Sequence, residues 1–210
     1  MQVLIGTTNP SKLRLFEQVL AGYPIEFVTL RDLNITAEPE EMGRNPAENA
    51  AVKAAFYGRF ADYVICNDAG LYFDLLPLDD PRQPGLHIRT PYGVRLDDEA
   101  MIEHYSQLIH SLGGKVLSYY LDGFAVKTPE GVTTFMKSKE DAREAAFWML
   151  DTPVAARRPG WPLDSLSKEL DDTSFMEEGV ELKPSTTGET KKAWERFLVN
   201  ALGLDTSEEA

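Results

Sequence analysis

Three short stretches near the start of the chain concentrate groups that handle phosphate and hard cations. The first is Thr7-Thr8-Asn9-Pro10-Ser11-Lys12, which follows an apolar run at residues 3–6 and opens a helical pattern. Free N–H groups at a helix start, the positive end of the helix dipole and a lysine ammonium all favour an anion there. The stretch lacks the Walker spacing of glycines before Lys-Ser/Thr, and a capped turn with a solvated lysine would use the same residues. The second stretch carries Glu38, Glu40 and Glu41, then Asn45, Glu48, Asn49 and Lys53. Carboxylate oxygens suit magnesium, and a nearby ammonium suits phosphate. Glu48, Asn49 and Lys53 fall near one helical face at spacings of one and four. Asn45 with Glu48 would equally make a helix cap that needs no ligand. The third stretch is Asn67-Asp68-Ala69-Gly70-Leu71, after the apolar residues 63–66. An acid at the carboxyl end of a buried strand stands where open α/β sheets bind ligands, although Asp-x-Gly also forms Asx-turns.

The elements that must position these groups alternate between strand and helix patterns. Residues 3–6 and 26–30 read as short buried strands. Asn9-Pro10 and Asn45-Pro46 each place a cap before a proline in the first helical turn. Leu13, Phe16 and Leu20 continue the first helix toward Gly22, and closely packing alanines carry the second to about Phe60. Residues 34–44 form an acidic loop, and residues 63–67 a strand ending in a polar turn over 67–70. Residues 76–93, rich in proline and glycine, form a long loop of the kind that usually carries function. Met101, Tyr105, Leu108, Ile109 and Leu112 mark an amphipathic helix, and residues 115–127 and 132–138 make a hairpin around Pro129-Glu130-Gly131. Residues 139–150 are ambiguous, with Ala, Glu and Arg favouring helix. Residues 159–162 form another irregular loop. Trp194, Phe197, Leu198 and Ala201 place a last helix before Gly203. This order predicts an α/β fold, a single domain over residues 1–204 and an acidic tail over 205–210.

The 210 residues suffice for one large domain, and 43% hydrophobic with 26% charged residues is the balance of a soluble globular protein. A formal charge of -13 repels nucleic-acid polymers. It does not repel a nucleotide, because one metal ion and a few lysines invert the local field. The single cysteine, Cys66, excludes an internal disulfide and suits a reducing compartment, and His87, His104 and His110 show no zinc spacing. Residues 1–5 are too short and too uncharged for a signal peptide, and no apolar run reaches membrane-spanning length. A cytoplasmic location without membrane or nucleic-acid partners is the expectation.

Taken in order, the three blocks resemble the inosine triphosphate pyrophosphatase family, house-cleaning enzymes that hydrolyse deaminated purine nucleotides. Residues 5–12 look like the family's strand–T-x-N-x-x-K–helix phosphate loop. Glu48-Asn49-Ala50 with Lys53-Ala54 is similar to its E-N-A-x-x-K-A helix, with Glu41 preceding it at the usual separation. Residues 67–71 resemble the D-D-S-G-L signature, and Pro84-Gly85 with Arg89 looks like P-G-x-x-S-A-R.

The resemblance implies an elongated central mixed sheet flanked by helices, two lobes with an active-site cleft between them, and a homodimer. It implies magnesium as cofactor, with manganese able to substitute, held by Glu41 and Asp68, and Asp68 as the group that orients or deprotonates the attacking water. Thr8, Asn9 and Lys12 would hold the triphosphate and Lys53 a phosphate, with Thr7, Ala69, Arg89, Trp161, Asp164 and Lys183 completing the substrate contacts. The implied reaction is hydrolysis of a nucleoside triphosphate, of the deaminated or aberrant purine class, to monophosphate and pyrophosphate.

The chain departs from the family in its second half. Residues 158–164 keep Gly-Trp of G-F-G-Y/W-D-P but move the acid to Asp164. Residues 183–193 lack the His-Arg pair that the family aims at the purine's keto edge. Asn67 and Ala69 also replace an acid and a hydroxyl in the third block. The alternatives are therefore a nucleotide-binding protein with reduced catalysis, which Asn67 would permit, and a pyrophosphatase of altered base specificity.

Overall fold

The computed structural model describes residues 1–176 and 188–204, without the side chains of residues 10, 11 and 188–190. Lys183 and the tail at 205–210 lie outside the described residues. The first apolar run forms β1 (Gln2–Ile5), whose alternation sends Val3 and Ile5 to one face and Leu4 to the other. β1 pairs in parallel with β2 (Glu26–Thr29) and with β3 (Val64–Phe73). β4 (Lys115–Thr128) pairs antiparallel with β5 (Gly131–Met136) and with β6 (Phe147–Leu150), and β6 with β7 (Ser167–Lys168). The resulting seven-stranded mixed sheet runs β2-β1-β3-β4-β6-β7, with β5 on β4. The helices are α1 (Pro10–Val19), α2 (Pro46–Tyr57), α3 (Asp98–Ser111), α4 (Lys139–Arg143) and α5 (Gly188–Leu202). The architecture is the α/β class read from the alternating patterns.

The chain divides into two compact units. The first holds Met1–Ala69, Asp122–Lys137 and the described part of Gly188–Ala210. On one face of its strands, Phe16 and Leu20 of α1 and Trp194 and Leu198 of α5 pack against Val3, Ile5, Ile65, Phe124 and Val126. Each large side chain buried in this way contributes roughly 1.5–3 kcal/mol. On the other face, Ala50, Ala54 and Tyr57 of α2 pack against Leu4, Val64, Cys66 and Ala125. Small residues let this helix lie close. A Cβ at Gly123 of β4 would come within 2.2 Å of the Ala47 backbone nitrogen, so only glycine fits there. The second unit holds Gly70–Leu121 and the described part of Ser138–Thr187. Its core gathers Leu71, Phe73, Met101, Ile102, Tyr105, Ile109, Val116, Phe147 and Met149.

Two expectations change. No turn interrupts Asn67–Gly70; β3 continues through it to Phe73. Those residues have turn chemistry, but a strand between two neighbours is held by the ladder and by the burial of Leu71, Tyr72 and Phe73. Residues 139–150 divide between both candidates. Ser138 caps α4 by accepting from the Asp141 N–H, and Phe147 and Met149 then alternate inward on β6.

Candidate functional site

The first stretch leaves β1 and enters α1. Thr7 and Asn9 form a local turn, with the Asn9 N–H donating to Thr7 Oγ1 at 3.1 Å. The Asn9 carbonyl accepts from the amides of Lys12 and Leu13 at 3.1 and 3.2 Å, which starts the helix. Thr8 is exposed in this turn. Lys12, in the first turn of α1, reaches across to β3, where its Nζ donates to the Asn67 carbonyl at 3.2 Å. Burial pushes the Lys12 ammonium below its ordinary range, Lys53 adds to this, and Asp68, Asp122 and Glu41 oppose it.

The second and third stretches meet at α2. Asn45 Oδ1 accepts from the Glu48 N–H at 2.9 Å, and Glu48 Oε2 accepts from the Arg44 N–H at 2.9 Å. Glu48 therefore serves the helix cap. One turn further in, Lys53 Nζ lies 2.9 Å from Glu41 Oε1 and 3.0 Å from Asp68 Oδ1. Burial lowers the Lys53 ammonium's pKa, but Asp68 and Glu41 together outweigh it and leave the group above its ordinary range.

Asn49 ties the same group together. It is buried, donates to Asp68 Oδ2 at 2.9 Å and to Glu41 Oε2 at 3.5 Å, and accepts from the Gly43 N–H at 2.7 Å. That last bond holds the acidic loop against α2. A Cβ at Gly43 would fall 2.5 Å from Asn49 Oδ1, so the approach requires glycine.

Strand parity separates neighbouring residues of β3. Asp68 meets α2 through Lys53 and Asn49, on the same face as Cys66. Asn67 takes the α1 face with Ile65. It is buried, and its Oδ1 has no hydrogen-bond partner among the described residues. Ala69 continues the strand half-buried and adds no polar group. Cys66 is wholly buried, and burial pushes its thiol up to about 12, which makes it an inert core residue.

Glu41, Lys53, Asp68 and Lys12 are thus brought together in the first unit, with Asn49 as their organiser. Among the described residues no cluster of three or more His, Cys, Asp or Glu stands ready for a metal. Two carboxylates that converge on one ammonium still fit magnesium, which takes one or two protein carboxylates and completes its shell with water and phosphate oxygens.

Arg89, Trp161 and Asp164 lie in the second unit. Arg89 binds Asp98 Oδ1 at 2.8 Å and the Gly160 carbonyl at 3.3 Å, and the Gly160 N–H returns a bond to Asp98 Oδ2 at 2.7 Å. Arg158 holds Asp164 Oδ2 at 2.5 Å and the Phe175 carbonyl at 3.3 Å. Burial still raises the Asp164 carboxyl above its ordinary range. Both arginines clamp the loop that carries Trp161, a residue left 44% exposed.

Two charged residues near the group were not singled out from the sequence. Asp122 interrupts the apolar run of β4, and Lys137 follows β5 with only 2% of its surface exposed. A carboxyl within the largely apolar residues 119–126 is the available signal.

The chain is similar to several named proteins. A Listeria innocua protein named dITP/XTP pyrophosphatase is 33% identical over 139 residues, covering 64% of this chain and 65% of its own. A protein of that name from Thermoanaerobacter pseudethanolicus is 36% identical over 88 residues, or 41% of this chain and 42% of its own. The chain thus spans at most 65% of the length of these two relatives. The Staphylococcus aureus Ham1 protein shares the fold at a TM-score of 0.70 and 19% identity, covering 95% of this chain and 99% of that one. A Mycobacterium abscessus nucleoside-triphosphatase/dITP/XTP pyrophosphatase does so at 0.62 and 21% identity, covering 97% of this chain and 95% of that one. The sequence profile of the Ham1 family matches residues 3–118, more than half of the 210. The resemblance to the inosine triphosphate pyrophosphatases is borne out, and the chain belongs to the Ham1 family.

Proposed function

We propose that this chain is a nucleoside triphosphate pyrophosphatase that converts non-canonical purine nucleotides to monophosphate and pyrophosphate with the help of a divalent cation, magnesium. The observation that carries the reading is Lys53 held between Glu41 and Asp68, with Lys12 anchored on the adjoining residue of β3. The names of the relatives support the same class of substrate. Residues 1–204 then act as one nucleotide pyrophosphatase domain, homodimeric and cytoplasmic. Among the described residues no helix is long and apolar enough to cross a membrane.

Hydrolysis of a phosphoanhydride needs positioning and charge neutralisation more than covalent help. Lys12 and Lys53 neutralise the polyphosphate oxygens, with Thr7, Thr8 and Asn9 at the helix start supplying polar contacts. Glu41 and Asp68 would hold magnesium, which supplies charge for the phosphates and acidifies bound water. Asp68 accepts the hydrogen bond of the attacking water and takes its proton as the water oxygen bonds to the α-phosphorus, the bridging bond to the β-phosphate breaks and pyrophosphate leaves. Asn49 fixes the Asp68 carboxylate for that role.

The sequence departs from the family pattern where the base would be read, because residues 183–193 lack the His-Arg pair. Arg89 and Arg158 are occupied by Asp98 and Asp164, and Trp161 offers an aromatic face that tolerates any base. Buried polar pairing discriminates between bases by roughly 10⁴-fold, and stacking by far less. The expected outcome is a reduced preference for inosine and xanthosine triphosphates over adenosine and guanosine triphosphates. The experiment is pyrophosphate release over these nucleotides and a pyrimidine triphosphate, with and without excess chelator. Full turnover in chelator would overturn the cation role. A strong preference for inosine triphosphate would overturn the specificity reading. Binding without turnover of any nucleotide would favour a protein that keeps the phosphate site but not the chemistry.

A further inference from the structure

Asp122 has no part in the scheme above, yet the fold builds a row of charge around it. Phe124 of β4 packs edge-on against Phe16 of α1, their centroids 6.0 Å apart. Asp122 shares the Phe124 face of β4, two residues back. Lys12 shares the Phe16 face of α1, one turn back. The aromatic contact therefore puts Asp122 and Lys12 on the same face of the sheet, where their charges act on each other. On the other side, Phe124 meets Phe135 of β5 at 6.4 Å, and Gly123 is paired with Met136. The next antiparallel position opposes Asp122 to Lys137, whose N–H donates to the Asp122 carbonyl at 3.0 Å. Lys137, Asp122 and Lys12 thus lie in sequence over the Phe135, Phe124 and Phe16 row, and β3 brings Asn67 in beside β4 on the same face.

We propose that Asp122 is a positioning residue of the phosphate site: flanked by Lys137 and Lys12, its carboxylate holds the Lys12 ammonium, charged and fixed, against the end of β3. A buried ammonium without a counter-ion sheds its proton or swings to solvent. Lys12 faces that pressure from burial and from Lys53, with Asp68, Asp122 and Glu41 acting against it. Asp68 and Glu41 are already bound to Lys53. Asp122 is the remaining carboxylate of the three, and it lies on the face where Lys12 sits. Its own carboxyl is pushed up to about 6 by burial, with Lys137 and Lys12 pulling it down and Asp68 pushing it further up. At neutral pH it is therefore ionised and able to do this work. The charges that face it are Lys137 after β5, Lys12 on α1 and Asp68 on β3.

The role rests on the triphosphate reading, but two readouts separate them. In unliganded full-length protein labelled with ¹⁵N-lysine, the Lys12 ammonium should lose its proton at lower pH in Asp122→Asn than in wild type. Asp122→Glu should restore the wild-type titration. Because Asp122→Asn leaves Lys137 without this carboxylate, the double variant Asp122→Asn/Lys137→Gln serves as the folded control and should show the same Lys12 shift. In turnover, Asp122→Asn should raise KM for the triphosphate by about tenfold while kcat changes little, the size expected for loosening one charge-assisted contact. The alkaline limb of kcat/KM should move to lower pH with it. An unchanged Lys12 titration in both variants would overturn the proposal. So would a lowered KM, which would mean that Asp122 mainly repels phosphate. If the wild type turned over no triphosphate, the functional reading would fail and the Lys12 titration would still decide the role of Asp122.

Discussion

Replacing Asp68 by asparagine changes one atom's chemistry at the place where most of the site's contacts converge. The carboxylate now accepts from Lys53 at 3.0 Å and from Asn49 at 2.9 Å, with 13% of its side chain exposed. An asparagine amide can satisfy only one of those donors with its oxygen; the other donor then faces an N–H. Lys53 keeps Glu41 at 2.9 Å, so no charge is orphaned. The structural cost is that of one spoiled buried hydrogen bond, about 1–3 kcal/mol. For a chain of this size a 2 kcal/mol loss lowers Tm by about 4–8 °C. The chemical cost should be larger. Asparagine neither takes a proton nor holds a hard cation well, and losing general-base help alone costs about 10²–10⁴-fold. A fall in kcat of about 10³-fold corresponds to roughly 4 kcal/mol in the barrier. Thermal melts and steady-state pyrophosphate release on the same preparation test both numbers. A melt lowered by the stated amount with near-normal kcat would refute the reasoning and leave Asp68 as a structural counter-ion of Lys53.

Two further outcomes follow from the same geometry. Lys12→Ala and Lys53→Ala should weaken triphosphate binding more than monophosphate binding in calorimetric titrations, because each removes a full charge from the proposed polyphosphate site; equal losses would place both away from the β- and γ-phosphates. Gly123→Ala should lower Tm without a matching change at the active groups, since its Cβ would fall 2.2 Å from the Ala47 backbone nitrogen, and overpacking of this kind costs about 1–3 kcal/mol. An unchanged melt would show that α2 can retreat from β4 freely.

Legibility in the sequence followed the range of the interaction. Local signals suffice where one residue's neighbours decide: Asn45 and Pro46 start α2, Ala50 and Ala54 face the sheet, and the hairpin turns over residues 129–130. The motif residues Lys12, Glu41, Lys53 and Asp68 could be picked by type and order. Asn49 falls on the same helical face as Lys53 in the sequence, but its role as their common organiser depends on contacts with Gly43 and Asp68 that spacing does not show. The run from Asn67 to Gly70 misled because turn propensity is a local quantity, whereas its strand state is set by chains far away in sequence. Residues 139–150 read ambiguously for the same reason, as β6 exists by pairing with β4. The sequence marks Asp122 only as a carboxyl within a largely apolar run. Its meaning comes from a cross-strand partner and a helix more than a hundred residues away. Arg89 and Asp164 carried motif positions but not their partners, Asp98 and Arg158.

Because Asn67 and Asp68 are consecutive residues of one extended strand, they address opposite sides of the sheet, and the whole assembly depends on counting by twos. Inserting or deleting one residue between Val64 and Asn67 would exchange the two sides. The acid would then face α1, and the amide would face Lys53. No rotamer can compensate for such a phase error, because the strand's period leaves no intermediate orientation. The acidic loop that delivers Glu41 has no such phase to keep. Its length before Glu41 can change so long as Gly43 still reaches Asn49 and Glu41 still reaches Lys53. Length is therefore quantised in pairs along β3, whereas before Glu41 the loop carries no such constraint.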